Sequence, residues 1–446
     1  MPIRSHRVLM SALLIACAFT ARAENLQDLY QAGLAYDATF LSARASLDAA
    51  QYRRDQAYAL RRPSIGLNAS AGRSTSNTPD ALSTQSTYSN QVGATISGQQ
   101  SLFNRANDKT IAQAEKAFDA ARADFSIAEQ DLIIRISQAY FDVLAAQDTL
   151  ATARSSLTAI SEQVASAKRN FEVGTANITD TREAQARYDL ARANEIVADN
   201  DLTNKRIALD QLVGRTNVQP NRLATPVTLP PITPSAVEEW AARADAEHPQ
   251  VRKARLALDV ARLETEKARA GHLPTVALSA SVGKGRLWVA GESAPIAFDY
   301  RTPSTTSSIA LTMSVPLYAG DSIQNRVKET VALETKSEDD LASARRSIDQ
   351  ATRTAFYGVR SGAAQVAALE AAESSSQLAL DSTLLGYKVG VRVNIDVLNA
   401  QAQLYDTQAK LAQARYNVVM AGLRLRQAAG QLNADDVGAV NRLIQP

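Results

Sequence analysis

One cysteine, Cys17, stands in 446 residues, so no intrachain disulfide can form. Three histidines (His6, His248, His272) are too few and too scattered for a histidine-based metal site. Glycine (19 residues) and proline (14) fall below their usual ~7% and ~5% shares, which argues against a loop-rich fold and for long uninterrupted helices. Neither sign of charge prevails. With 48 basic and 46 acidic residues, the chain has no strong overall field to draw nucleic acid or an anionic surface. The apolar share of 45% and charged share of 21% exclude both a disordered chain and a multi-span helical membrane protein. Past the start of the chain, no window offers the ~20 apolar residues of a spanning helix, so any membrane passage must use β-strands. G-x-x-x-x-G-K-[ST], G-x-S-x-G, H-E-x-x-H and C-x-x-C are all missing. Gly283-Lys284-Gly285 has the wrong spacing for a phosphate loop and reads as an ordinary loop. The expectation is therefore a protein that is not an enzyme, with no cofactor and no metal.

Residues 1–23 read as a secretory signal peptide. Arg4 and Arg7 form a basic start, Leu9 to Phe19 an apolar run, and Ala21-Arg22-Ala23 a cleavage site before Glu24. An acyl chain on Cys17 is the competing reading. Cleavage after Ala23 removes Arg4, Arg7 and Arg22 and leaves 45 basic against 46 acidic residues.

The chain beyond Ala23 is an internal duplication. Val173, Gly174 and Asp180 recur as Val389, Gly390 and Asp396, and Ala184-Gln185-Ala186 as Ala400-Gln401-Ala402, all 216 residues apart. At the same offset Ala139-Tyr140-Phe141 recurs as Ala355-Phe356-Tyr357. Leu102-Phe103 recurs as Leu317-Tyr318. The halves are 24–214 and 235–430, joined by a proline-rich linker over 215–234 and followed by a tail over 431–446.

Each half reads helix, strand, strand, long helix, turn, helix. Residues 25–61 have strong helix composition, ended by Pro63. Ile65, Leu67, Ala69 and Ala71 alternate with small or polar residues. After a Ser/Thr/Asn loop over 74–89, Val92, Ala94 and Ile96 do the same. In the second half the runs are Val276, Leu278, Ala280, Val282 and Ile309, Leu311, Met313, Val315, Leu317. Each run is about 9–11 residues, the length of a tilted membrane strand; the edge of a soluble sandwich is the alternative, and the duplication and the small polar alternate face favour a membrane barrel. Trp288, Phe298 and Tyr300 fall in the second external loop on this reading. Residues 105–172 contain no Gly or Pro, and at 1.5 Å per residue they reach about 100 Å. Ile136, Tyr140, Val143, Leu150 and Leu157 form a coiled-coil-like stripe, resumed after a phase slip by Ile160, Val164, Ala167 and Phe171. Return helices are expected at about 179–213 and 395–430. Four strands cannot close a barrel, and open edges cannot face lipid, so several chains must share one. Three chains would supply 12 strands, within the known range. The fold class expected is thus an internally duplicated α+β membrane protein, a long α-helical barrel joined to a shared β-barrel.

The chain resembles the TolC family of outer-membrane efflux and secretion ducts over essentially its whole length after Ala23. The resemblance rests on Glu24-Asn25-Leu26, Gly271-His272-Leu273-Pro274-Thr275, and Ala139-Tyr140-Phe141 in the long helix. It rests further on Val173-Gly174 with Ile178-Thr179-Asp180, and on Gly386-Tyr387-Lys388-Val389-Gly390 with Ile395-Asp396-Val397-Leu398. It implies a homotrimer in the outer membrane of a Gram-negative bacterium, with a helical tunnel in the periplasm. The partners implied are a periplasmic adaptor (membrane fusion protein), an inner-membrane ABC or proton-driven transporter, and outer-membrane lipid, with no nucleic acid.

The same resemblance implies a gate in which Asp180 with Thr179 meets Arg392, and Tyr387 reaches Asp180. It implies a pore ring at Asp396 and Asn399, where the second position departs from the two-carboxylate pattern. Val173-Gly174-Thr175 and Val389-Gly390-Val391 are expected as tip turns that dock the adaptor. Phe103 and Tyr318 are expected to end strands in an aromatic girdle at the periplasmic membrane interface. Type I protein secretion is the favoured use. Drug efflux is the alternative, and a periplasmic coiled-coil adaptor a more distant one.

Overall fold

A computed structural model describes residues 24–79, 84–224, 232–293 and 296–444. The signal-peptide reading and the middle of the linker lie outside these residues.

The first half contributes α1 (Leu26–Tyr36), α2 (Ala38–Tyr58), β1 (Ser64–Pro79), β2 (Thr84–Phe103), α3 (Arg105–Glu172) and α4 (Ile178–Val213). The second contributes α5 (Val237–Glu247), α6 (Pro249–Arg269), β3 (Thr275–Ser293), β4 (Ile296–Ser314), α7 (Ser322–Lys388) and α8 (Asn394–Ala428), followed by α9 (Ala434–Asn441). The long helices meet the sequence expectation: α3 runs 68 residues and α7 runs 67.

The single helix expected over 25–61 is two helices. Asp37 breaks it, because its side chain accepts from the Phe40 N–H at 2.7 Å and so caps a new helix. Arg135 of α3 donates to both carboxylate oxygens at 2.8 and 2.9 Å, fixing the corner. The second half turns at the corresponding place with different chemistry. There His248 Nδ1 accepts from the Gln250 N–H at 3.1 Å, and Pro249 opens α6.

The strands form one antiparallel sheet in the order β1-β2-β3-β4, so β2 and β3 join the two halves. They are longer than the alternating runs suggest, at 16, 20, 19 and 19 residues. The polar stretch 74–89 is mostly strand, with Ser74 across from Ser89 and their hydroxyls 2.6 Å apart. Strand above a bilayer has water on its faces and needs no apolar residues, so its composition looks like a loop. For the same reason Lys284 and Trp288 lie in β3, and Phe298 and Tyr300 in β4, not in loops. Among the described residues, no helix is long and apolar enough to cross a membrane.

The main core lies at mid-length of α3. Leu132, Ile136, Tyr140, Phe141 and Leu144 pack there with Leu26 and Leu29 of α1, Leu209 of α4, Val419 of α8 and Val437 of α9. The linker enters this core through Val218 and Leu223, and the Tyr140 hydroxyl donates to the Asn221 carbonyl at 2.7 Å. Away from it the helices pair along narrow seams. Val397, Leu404, Leu411, Val418 and Leu425 of α8 are buried at seven-residue steps, as are Ala184, Ala191 and Ala198 of α4. The phase slip read after Leu157 is a change of surroundings. Ile136, Val143, Leu150, Leu157 and Val164 keep the seven-residue step, while extra neighbours wrap only the middle of α3. Phe171, expected to end the stripe, is exposed.

Candidate functional site

The end of the molecule far from the sheet consists of two similar turns. Gly174 takes φ +77° and Gly390 φ +82°, the left-handed region in which a side chain is strained. The Thr175 and Ala176 N–H groups donate to the Asn170 carbonyl at 2.8 and 3.2 Å. The Val391 and Arg392 N–H groups donate to the Gly386 carbonyl at 2.9 and 3.1 Å. Val173, Val389 and Val391 are exposed on these turns.

Past the turns, Asp180 and Asp396 occupy the first turns of α4 and α8, where the helix dipole favours a carboxylate. Thr179 is exposed and Asp180 half-buried. Among the described residues the Asp180 side chain has no hydrogen-bond or ionic partner within the chain. Arg392 Nη1 lies 3.4 Å from Asp396 Oδ2, one turn along its own helix. The Tyr387 hydroxyl accepts from Asn170 Nδ2 at 3.1 Å, tying α3 to α7. Within one chain, then, neither Arg392 nor Tyr387 meets Asp180. Asn399 Oδ1 accepts from Arg187 Nη2 at 3.2 Å, tying α4 to α8 beside Asp396.

Asn170 and Arg187 escaped the sequence reading. The duplication sets Asn170 against Gly386 and Phe171 against Tyr387, so the Asn170–Tyr387 bond joins non-equivalent positions that internal alignment does not flag. Arg187 had a signal: it lies seven residues after Asp180, on the same helical face. Asn394 was also missed. It is 3% exposed, and among the described residues neither its side-chain nitrogen nor its oxygen has a partner.

At the membrane end, β2 carries an irregularity between Ser101 and Phe103 that sets Phe103 opposite Val276. This brings the Phe103 ring onto the apolar face of the sheet. Tyr318 does not end a strand: β4 stops at Ser314, and Tyr318 lies in the exposed connection to α7. The described residues hold no cluster of His, Cys, Asp or Glu fit for a metal ion.

Residues 29–215 and 240–431 match the family model described as Outer membrane efflux protein. The chain is 31% identical to the outer membrane protein TolC of Vibrio cholerae, over 97% of this chain and 96% of that one. It is also 31% identical to the alkaline protease secretion protein AprF of Pseudomonas aeruginosa, over 97% and 90%. Its fold is similar to that of the outer membrane protein VceC of Vibrio cholerae, with a TM-score of 0.75 at 19% identity, covering 91% of this chain and 96% of that one. These matches are to outer-membrane channels, not to periplasmic adaptors, and the matching family is not an enzyme family. The chain belongs to the outer membrane efflux protein family: it is a channel of the Gram-negative outer membrane with an extended helical part in the periplasm.

Proposed function

We propose that three copies of this chain close their sheets into one 12-stranded barrel and form a passive exit duct. One observation carries this reading. The four-stranded sheet has two unpaired edges, β1 and β4, and one of its faces is apolar where the other is small and polar. Such edges are stable in lipid only when paired with the next chain. Substrate would enter from an inner-membrane ABC or proton-driven transporter through a periplasmic adaptor docked on the exposed valines of the tip turns. Phe103 and Tyr318 would mark the periplasmic edge of the bilayer.

The tip would be latched between chains. Among the described residues the Asp180 side chain has no partner in its own chain, and the Arg392 side chain pairs with Asp396 one turn along its own helix. Asp180 and Thr179 of one chain would receive Arg392 of a neighbouring helix, with Tyr387 held nearby by Asn170. Asp396 would form the pore ring, with Arg187 and Asn399 beside it.

The test is membrane fractionation followed by light scattering in detergent. An outer-membrane species of three chains is expected, and a soluble monomer or dimer would overturn the shared barrel. For cargo, the likeness to a protease secretion protein favours type I protein secretion, and the efflux name of the family favours small molecules as the second reading. Expression in a strain lacking its own duct separates them. Restored export of a type I protein substrate is expected; restored resistance to toxic compounds alone would select the second reading.

A further inference from the structure

The chain is almost neutral overall, yet its outer strands carry a local excess of positive charge. The apolar face of the sheet can be followed by register. Val276 lies opposite Met313, Leu278 opposite Leu311, Ala280 opposite Ile309, and Val282 opposite Ile96. No irregularity interrupts β3 between Val276 and Ser293, so every even-numbered residue of β3 stays on this face. Above Val282 the face changes character. Lys284 lies opposite Ala94, Arg286 opposite Val92, and Trp288 between Asn90 and Arg301. Arg73 lies opposite Asn90, one strand further on, and its guanidinium sits 5.9 Å from the Tyr88 ring. Four cations therefore share one face, on three of the four strands, around Trp288.

Their height is set by the strand rise. An apolar band about 25 Å tall is crossed by roughly 10 residues of a strand tilted by about 40°. Counted up β3 from Val276, the level of Phe103, that band ends near Arg286. The cluster thus straddles the boundary between hydrocarbon and headgroups, with Lys284 two residues below Arg286 and Trp288, Arg301 and Arg73 above it. Lys284, Arg286, Arg301 and Arg73 are exposed, and among the described residues no carboxylate pairs with any of them. Asp299 is a same-face neighbour of Arg301, two residues further from the membrane.

We propose that Arg73, Lys284, Arg286 and Arg301 form a binding site for the phosphate groups of an outer-leaflet phosphoglycolipid. Trp288 packs at the same level against the sugar and upper acyl region. Arginine forks match phosphate oxygens, and an indole at a membrane interface presents both an apolar body and a donor. The proposal rests on the outward orientation of the apolar face in the barrel. The closing experiment keeps the two apart, because barrel assembly is read from particle mass and the lipid site from retained lipid.

The probe is bisphosphorylated lipid A, added to the purified full-length protein in detergent and washed. Retained lipid is counted by native mass spectrometry. The variant Arg73→Gln/Lys284→Gln/Arg286→Gln/Arg301→Gln should keep the particle mass and retain lipid A at least about tenfold less. Dephosphorylated lipid A should bind the unaltered protein as weakly. Substituting lysine at the three arginines should preserve most of the retention. If the fourfold variant fails to assemble, Lys284→Gln/Arg286→Gln alone should lower retention severalfold. Equal retention by variant and unaltered protein, or of phosphorylated and dephosphorylated lipid, would overturn the site. Displacement by millimolar inorganic phosphate would overturn the lipid in favour of a simple anion site.

Discussion

Arg392 has two possible carboxylate partners, and removing one should strengthen the other. In its own helix it faces Asp396 at 3.4 Å, with Arg392 exposed and Asp396 half-buried. In the proposed latch it faces Asp180 of a neighbouring helix. Asp396→Asn removes the competitor and frees Arg392 for the latch. A solvated pair one turn apart is worth about 0.3–0.5 kcal/mol, and three copies sum to roughly 1–1.5 kcal/mol. The ratio of closed to open channels should therefore rise about 5- to 13-fold. Arg392→Ser should do the opposite, raising conductance and open probability. Single channels in a planar bilayer report both quantities, and a salt gradient reports selectivity in the same recording. Cation selectivity should fall in Asp396→Asn, because the proposed ring of carboxylates is lost. The double variant should gate like Arg392→Ser alone, since without Arg392 the competition is void. An open probability in Asp396→Asn equal to or above that of the unaltered channel would refute the shared-arginine argument. An unchanged reversal potential would show that Asp396 does not face the pore.

Other expected outcomes rest on the geometry of single residues. Arg187→Ala should raise cation selectivity, because a positive charge is removed from beside Asn399 and the Asp396 ring; the reversal potential checks this. The hydrogen bonds from Arg135 hold the Asp37 carboxyl below the usual carboxylate range, despite the opposing effect of burial. Its contribution is thus present above the unfolded value of about 3.9 and lost as pH falls through the folded value. Thermal melts in detergent should show this acid-side loss in the unaltered protein and not in Asp37→Asn. Asp37→Ala should also forfeit the helix cap, a further cost of about 0.5–2 kcal/mol. Tyr140→Phe leaves the Asn221 carbonyl unpaired beside the core and should cost about 1–2 kcal/mol, read as a lower melting temperature. Gly174→Ala or Gly390→Ala meets no atom within 4 Å, so its cost of about 1–2 kcal/mol is backbone strain alone. Hydrogen exchange should quicken most at the tips, and the melting midpoint should fall by no more than in Tyr140→Phe.

The parts of the fold legible in the sequence were those set by long-range pattern. A 68-residue stretch without Gly or Pro can hardly be anything but a helix, and Val173-Gly174 and Val389-Gly390 announce their own turns. The misreadings have local causes. The Asp37 corner has no Gly or Pro, and only tertiary placement of Arg135 shows that Asp37 caps a helix. The strands were cut short because β-structure bathed in water on both faces carries no hydrophobic alternation. At the tip, Asp180, Tyr387, Arg392 and Asp396 were visible as residues, while the pairs that the resemblance implies, Arg392 and Tyr387 with Asp180, are not made within one chain, where Arg392 meets Asp396 and Tyr387 meets Asn170. Which carboxylate an arginine meets depends on helix offsets that single-chain periodicity does not encode. The outer basic cluster was hidden by composition: Lys284 and Arg286 are offset in the totals by acidic residues on distant helices.

The β2–β3 pairing has a genetic consequence. Because it fuses both halves of a chain into one sheet, each chain offers the proposed ring two edges and no spare. A chain with either edge spoiled still joins its neighbours through the other, and it prevents closure for all of them. In a cell making spoiled and sound chains in equal amounts, roughly one ring in eight would be wholly sound under three-fold closure. Edge lesions in β1 or β4 should therefore behave as dominant alleles. Lesions that unfold the long helices before assembly should be recessive, since such chains never reach the ring.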